Sequence, residues 1–196
     1  MFLLAHAGIT LGAAVLGSGA VGTVKDRRKA QPPRGLVAWV LSLSRWLDIR
    51  LLLIGALLPD IIDKPLGNLL LRGTLNNGRI FAHTLLFAIM LFLPGLWLYL
   101  SRRRTWLLAL GIGVVAHLVL DEMWLDPRAL FWPVYGWQWP SYTEVDTFSV
   151  WLNKLVHSPA VYVPEIIGTI ILAGFAALVI YRKKTVRFVK QGKLEV

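Results

Sequence analysis

The sequence predicts an all-α fold, a polytopic membrane bundle of about five transmembrane helices. Of its 196 residues, 56% are hydrophobic and only 16% are charged, whereas a soluble globular domain carries about a quarter charged residues. Several apolar stretches also approach the length of about 20 residues with which a helix crosses a bilayer. Together, these observations indicate an integral membrane protein with a single helical domain.

Five apolar spans are predicted along the chain. The second begins as an amphipathic segment (LVAWVLSLSRWLDIR) and becomes purely apolar at LLLIGALL. It is therefore either one long tilted helix or a surface helix that leads into a short span. We expect residues 1–182 to form the transmembrane domain and residues 183–196 a basic cytoplasmic tail. The spans lie at about 2–24, 36–62, 80–100, 106–125 and 160–181.

The basic residues predict the orientation of these spans. Five Lys or Arg lie at 25–34, three at 101–104 and six from 182 onward, which together are 14 of the 21 in the chain. Because cytoplasmic loops of membrane proteins are enriched in Lys and Arg, these segments should share the cytoplasmic side. With five crossings, the N-terminus is then outside and the C-terminus is in the cytoplasm of a multi-pass cell-membrane protein. The formal charge of +10 is explained by topology, so we expect no nucleic-acid partner.

Each predicted span carries an ionisable residue toward its outer end, although the orientation argument used none of them. An ionisable group inside a membrane is energetically costly, so it usually marks a functional site or a buried pair. The convergence of all five spans at one depth therefore predicts a polar site in the outer half of the bilayer. These residues are His6, Asp60, Asp63, His83, His117, Asp121 and Glu165.

The most specific pair is His117 and Asp121, whose spacing of four places both on one face of a helix. This pair predicts either metal ligands or a structural hydrogen bond. Asp60 and Asp63, taken alone, could simply end a helix. His6 and His83, taken alone, could each be satisfied by a backbone carbonyl.

Taken together, three histidines and three aspartates supply the mixed nitrogen and oxygen ligands that Zn²⁺ prefers, with Mn²⁺ or Fe²⁺ as alternatives. Six ligands exceed the three protein ligands of a mononuclear catalytic zinc, so one or two ions are expected. Asp63 is predicted as a ligand and as a catalytic carboxylate. Glu165 is either a further ligand or the general base. Arg79 and Arg128 could hold an anionic phosphate, or pair with Asp126 or Glu122, and His157 should lie on the surface.

Five motifs in order resemble the YdjM-type family of membrane-bound (LexA-regulated) metal-dependent hydrolases. They are AHAGIT, LLPDIIDK, RIFAHTLLF, AHLVLDEMW and LFWPVYGW, spread over residues 4–140. The resemblance implies an inner-membrane, metal-dependent hydrolase. It places His6, Asp60, Asp63, His83, His117 and Asp121 at motif positions, and it suggests distant kinship with the helical folds of zinc-dependent phospholipase C and nucleases.

The chain departs from the family pattern at two motifs. The family often shows PD-x-D-H and an Arg-Gly-x-Thr-His-Ser box, where this chain has PDIIDK at 59–64 and GRIFAHT at 78–84. The histidine after the second aspartate is missing, which leaves the number of metals open.

The tryptophan-rich stretch at 131–142 (FWPVYGWQWPSY) follows the last of these motifs. Trp and Tyr prefer the headgroup region of a membrane, so the stretch is either an interfacial anchor or a lid over the metal site.

Three functions are compatible with these residues. The first is hydrolysis of a phosphodiester or ester in a membrane lipid or lipid-linked substrate. The second is ion or proton transport, but the ionisable groups stop in the outer half, and a conduit needs polar groups through the full depth. The third is a non-enzymatic membrane protein with a structural metal or polar cluster.

Overall fold

The computed structural model describes residues 3–25, 35–67, 78–139, 148–192 and 194. Three sequence predictions lie partly outside these ranges: most of the basic segment 25–34, the end of the tryptophan-rich stretch and part of the tail. The described residues form helices connected by turns. They are α1 (Leu3–Lys25), α2 (Leu36–Trp46), α3 (Ile49–Pro65), α4 (Leu85–Arg102), α5 (Trp106–Leu120), a 3₁₀ turn (Met123–Leu125), α6 (Pro127–Leu130), α7 (Phe148–His157), α8 (Pro159–Tyr181) and α9 (Thr185–Gln191).

The second predicted span consists of two helices, α2 and α3, rather than one. The break falls at Leu47, which has an extended backbone (φ −123°, ψ 146°). Asp48 then caps α3, because its carboxylate accepts a hydrogen bond from the backbone N–H of Arg50 at 3.0 Å. From there α3 continues through Pro59 to Pro65. Of the two arrangements compatible with the sequence, a separate helix followed by a short apolar one is therefore observed.

Two of the described helices, α4 and α8, are long and apolar enough to cross a membrane by length and composition. Most of their side chains are exposed on the outside of the bundle, as lipid-facing helices require. Two shorter apolar helical stretches accompany them, Leu3–Ser18 and Trp106–Leu120. The all-helical class is therefore confirmed, whereas the count of five crossings and their orientation stay predictions.

Glycines allow the helices around the site to pack backbone against backbone. On α5, Gly113 lies directly against Leu52 and Ala56 of α3, and a Cβ atom there would lie 2.6 Å from the backbone nitrogen of Ala56. Gly8 of α1 and Gly168 of α8 face each other in the same way. Small residues are common at such contacts because they let two backbones approach closely.

The helices gather their polar groups at one end of the bundle. The N-terminal ends of α1, α4 and α8 meet the C-terminal ends of α3 and α5 there, as three contacts show: Ala5 with Glu165, His6 with Asp121, and His83 with Asp63.

The opposite end holds an apolar core and the tail. Arg50 at the start of α3 donates a hydrogen bond to the carbonyl of Val189 in α9 at 2.6 Å. Leu194 is buried there in a cluster with Val40 and Ile49. The tail thus packs on the bundle, and the division into residues 1–182 and 183–196 stays a prediction.

Candidate metal centre

The helix contact between α3 and α5 orients His117. The Nδ1 atom of His117 lies 2.7 Å from the carbonyl oxygen of Ala56, beside the point where Gly113 lets the two helices touch. Because a carbonyl oxygen can only accept, Nδ1 must carry the hydrogen. The other ring nitrogen, Nε2, is then left with a lone pair that points into the bundle.

Asp63 orients His83 in the same sense. Its carboxylate accepts hydrogen bonds from the backbone N–H groups of Ile80, Ala82 and His83, at 2.8 to 3.1 Å. The same carboxylate lies 2.8 Å from Nδ1 of His83. It therefore fixes the backbone that carries His83 and holds the hydrogen on Nδ1, so that in the neutral ring Nε2 is the nitrogen that can bind a metal.

The two Nε2 atoms face each other. The Nε2 atoms of His83 and His117 are 3.2 Å apart, and both side chains are fully buried. Two lone pairs at this distance repel, so the contact requires either a hydrogen or a metal ion between the two nitrogens. Two ligands of one tetrahedral zinc, each at 2.0 to 2.1 Å from the metal, are separated by about 3.3 Å. The observed spacing fits that arrangement.

Asp60 and Asp121 each bring a carboxylate oxygen to this pair of nitrogens. Oδ1 of Asp60 lies 3.6 Å from Nε2 of His83 and 3.8 Å from Nε2 of His117. Oδ2 of Asp121 lies 3.8 Å and 3.9 Å from the same two atoms. These oxygens need to move by only a few tenths of an ångström to reach ligand spacing.

His6 supports the other side of Asp121. Its Nε2 atom is 3.0 Å from Oδ1 of Asp121, and its ring stacks on that of His117 at a centroid distance of 4.0 Å. Two overlapping groups could each hold a metal ion: Asp60, His83 and His117, and His6, His117 and Asp121. His117 belongs to both.

The structure thus brings together all six residues predicted as ligands, but in unequal positions. Asp63 faces the backbone of residues 80–83 and the Nδ1 side of His83, and it lies outside both groups that could hold a metal. Glu165 lies at the same end of the bundle, where its Oε1 accepts a hydrogen bond from the backbone N–H of Ala5 at 3.2 Å.

The residues predicted around the site have the following places. Arg79 donates to Asp121 at 3.2 Å, a partner that the sequence analysis did not propose for it. Arg128 is exposed on α6, and Glu122 is exposed beyond the end of α5. His157 is exposed on α7, as predicted.

Sequence reasoning missed Lys64, whose Nζ lies 2.7 Å from Oδ2 of Asp60. The spacing of four residues between Asp60 and Lys64 on one helix was the available signal.

The geometry can now be compared with known proteins. Residues 1–191 match the family described as YdjM inner membrane protein. The chain belongs to this family. No curated protein and no solved structure matches it. The family assignment confirms the resemblance carried by the five motifs, and it makes this YdjM-family chain an inner-membrane protein.

The donor set of this YdjM-family chain fits a divalent transition metal. Imidazole nitrogens and carboxylate oxygens are ligands typical of zinc, and the hydrogen bonds on Nδ1 of His83 and His117 are the outer contacts that metal-bound histidines usually make. The family histidine missing after the second aspartate is replaced by Lys64, which cannot ligate while its ammonium is charged. Any histidine ligand of a metal here would therefore have to come from other segments of the chain.

Aromatic residues cover the loop that carries His83. Phe81, two residues before His83, packs edge-on against Trp132 and Trp139, at centroid distances of 5.8 and 5.1 Å. Trp132 and Trp139 stack on each other at 4.3 Å. The described part of the tryptophan-rich stretch is thus packed beside the site, a position that suits either an interfacial anchor or a lid.

Proposed function

We propose that this protein is an integral-membrane, metal-dependent hydrolase that acts on a phosphodiester or ester of a lipid or lipid-linked substrate. One observation carries the proposal: the buried Nε2 atoms of His83 and His117 face each other at 3.2 Å. Asp60 and Asp121 each place one carboxylate oxygen within 4 Å of both nitrogens. Membership of the YdjM family supports the membrane location.

In the proposal, His83, His117, Asp60 and Asp121 hold the ion, zinc by preference. His6 orients Asp121 through its 3.0 Å hydrogen bond. When bound, a divalent cation supplies a Lewis acid that lowers the pKa of a water molecule and polarises the oxygen of the ester.

The protein's own residues must then handle the protons of hydrolysis. The water oxygen forms a new bond to phosphorus or to the acyl carbon, the bond to the alcohol oxygen breaks, and that oxygen takes up a proton. Glu165 is the base that accepts the water proton in this proposal, since it accepts a hydrogen bond from Ala5, the neighbour of His6 in the sequence. Asp63 already accepts several hydrogen bonds, so we assign it to positioning His83 instead of catalysis or ligation.

The lipid character of the substrate is supported by an apolar cavity of about 570 Å³ between α1, α7 and α8. Aliphatic side chains such as Leu4, Leu155 and Ile166 line it, and Glu165 lies in its wall. An acyl chain would find an apolar environment there.

We also propose the five-crossing topology, with the site near the extracytoplasmic face of the membrane. The crossings would be α1, α3, α4, α5 and α8. The position of three arginines supports this topology. Arg102, Arg103 and Arg104 lie between the end of α4 and the start of α5. His83 and His117 lie at the opposite ends of these two helices.

Metal content tests the centre of the proposal. Protein purified without chelator should carry one to two equivalents of a transition metal by elemental analysis. His83→Ala and His117→Ala should lose most of it. His157→Ala is the matched control, because His157 is an exposed histidine on α7, and it should keep the metal. Metal-free wild-type protein of normal stability would contradict the proposal.

Turnover separates an enzyme from a protein with a structural metal. The wild type should hydrolyse a chromogenic phosphodiester or carboxylate ester in lipid-containing detergent, lose this activity with chelator and regain it with zinc. Metal that is retained without any turnover would favour the structural role. Metal-dependent ion flux in sealed vesicles would favour transport.

A further inference from the structure

Two cations flank the candidate metal centre, one on each carboxylate that faces the histidine pair. Lys64 contacts Asp60 at 2.7 Å and Arg79 contacts Asp121 at 3.2 Å. The side chains of both cations are 40% exposed, whereas those of the carboxylates are 2% and 6% exposed. Each cation therefore contacts a buried carboxylate and is itself partly exposed.

The two cations do not hold the carboxylates in the same way. Lys64 donates to Oδ2 of Asp60, the oxygen turned away from the histidines. Arg79 donates to Oδ2 of Asp121, the oxygen that also faces Nε2 of His83. A metal bound at the centre would compete with Lys64 and Arg79 for the two carboxylates and weaken both ion pairs. The effect would be larger for Arg79, because it contacts the carboxylate oxygen that faces the histidines.

A bound divalent cation would change the sign of the summed charge around the candidate metal centre. Asp60, Asp63 and Asp121 contribute three negative charges. The two cations contribute two positive ones, and the histidines are neutral as ligands. With the histidines neutral, these five ionised side chains sum to −1, and one divalent cation would bring the sum to +1. A buried positive site attracts an anion more strongly than a neutral molecule.

We propose that Lys64 and Arg79 form an anion-binding pair for the phosphoryl oxygens of the substrate, so that the substrate class is a phosphoester rather than a carboxylate ester. This inference rests on the proposed metal-dependent function and narrows its substrate. Arg79 presents a planar fork of N–H donors and Lys64 a mobile ammonium, both of which form strong charge-assisted hydrogen bonds with phosphate. The partial exposure of both allows them to turn from carboxylate to substrate.

Binding of inorganic phosphate to the zinc-loaded protein, with excess zinc removed, tests the pair directly. Calorimetry should give a Kd that rises about 10-fold or more in Lys64→Gln and in Arg79→Gln, the usual effect of losing a charge-assisted hydrogen bond. Lys64→Arg and Arg79→Lys should restore part of the affinity. The matched controls are Lys190→Gln and Arg104→Gln, which remove exposed cations elsewhere on the chain and should leave the Kd unchanged.

Zinc affinity distinguishes this role from a purely structural one. If the cations bind substrate, Lys64→Gln and Arg79→Gln should keep or increase the zinc affinity, because a positive charge that competes for the carboxylates is gone. If the cations mainly hold the ligands in place, both variants should bind zinc more weakly, and the inference is then overturned. Wild-type phosphate affinity in both variants would overturn it as well.

The substrate assay separates failure of this inference from failure of the proposed function. Zinc-dependent hydrolysis of a chromogenic phosphodiester that falls in both Gln variants supports both. Zinc-dependent hydrolysis of a carboxylate ester alone, unaffected by the two variants, keeps the hydrolase and refutes the anion pair. Phosphate binding that depends on Lys64 and Arg79 without any hydrolysis keeps the anion pair and refutes the hydrolase.

Discussion

Substituting Gly113 by alanine should weaken metal binding although Gly113 is itself no ligand. A Cβ atom at this position would lie 2.6 Å from the backbone nitrogen of Ala56 and 2.7 Å from the carbonyl carbon of Gly55. These are backbone atoms, so the clash can be relieved only by moving α3 and α5 apart. The carbonyl oxygen of Leu52 would lie closer still, so restoring an ordinary contact requires a shift of about 1 Å, since such contacts begin near 3.4 Å.

That shift acts on the site through His117. The hydrogen bond from Nδ1 of His117 to the carbonyl of Ala56 is 2.7 Å long, and a movement of about 1 Å would stretch it beyond the usual limit of about 3.2 Å. Loss of such an outer contact lowers metal affinity by about 10- to 100-fold. We therefore expect Gly113→Ala to bind zinc about 10- to 100-fold more weakly, measured by competition with a chromogenic chelator.

Gly174→Ala is the matched control, since a Cβ atom on this helical glycine of α8 meets nothing within 4 Å. It should keep wild-type zinc affinity. Gly113→Ala should also lower the free energy of unfolding by about 1 to 3 kcal/mol, the usual cost of overpacking. Wild-type zinc affinity in Gly113→Ala would refute the link between helix contact and ligand orientation.

Three further predictions concern Asp63, Glu165 and the topology. Asp63→Asn should lower zinc affinity about 10- to 100-fold in the same competition assay, because Nδ1 of His83 loses its charged acceptor. Glu165→Gln should keep metal and fold, since its amide oxygen can still accept from Ala5, but it should lower turnover by about 10²-fold or more, as expected for a lost general base. A topology reporter fused after residue 196 should read cytoplasmic, and one inserted at 140–147 should read extracytoplasmic.

Each of these predictions has a clear contrary outcome. Unchanged zinc affinity in Asp63→Asn would remove its positioning role. Loss of metal in Glu165→Gln would make Glu165 a ligand, and unchanged turnover would leave it as a cap on the first turn of α1. Reversal of both reporter readings would place the site on the cytoplasmic face.

Much of the candidate site was predictable from the sequence because burying a charge in a membrane is costly. That cost makes an ionisable residue in an apolar span informative by itself, so His6, Asp60, His83, His117 and Asp121 could be proposed as one cluster from their depth alone. The ordered motifs likewise predicted the YdjM family, which the match over residues 1–191 confirms. The ionisable residues and the motifs can both be recognised in individual segments of the sequence, without knowing how the helices pack.

The break between α2 and α3 was harder to predict from the sequence, because the local signal for it is weak. Leu47 is an ordinary apolar residue, and the capping potential of Asp48 competes with the helix tendency of the residues around it. The sequence therefore allowed either one helix or two, and only the backbone geometry decided between them.

The chemical groups that this protein gathers at one end of a helical bundle can be identified from the sequence, because the cost of burying a charge applies to each apolar segment separately. Which groups contact one another there depends on how distant segments pack. The His117 bond to Ala56 joins residues 61 positions apart, and the His6 bond to Asp121 joins residues 115 apart. Tautomers, hydrogen-bond partners and ligand spacing depend on contacts within about 3 Å between distant segments, which no local pattern encodes.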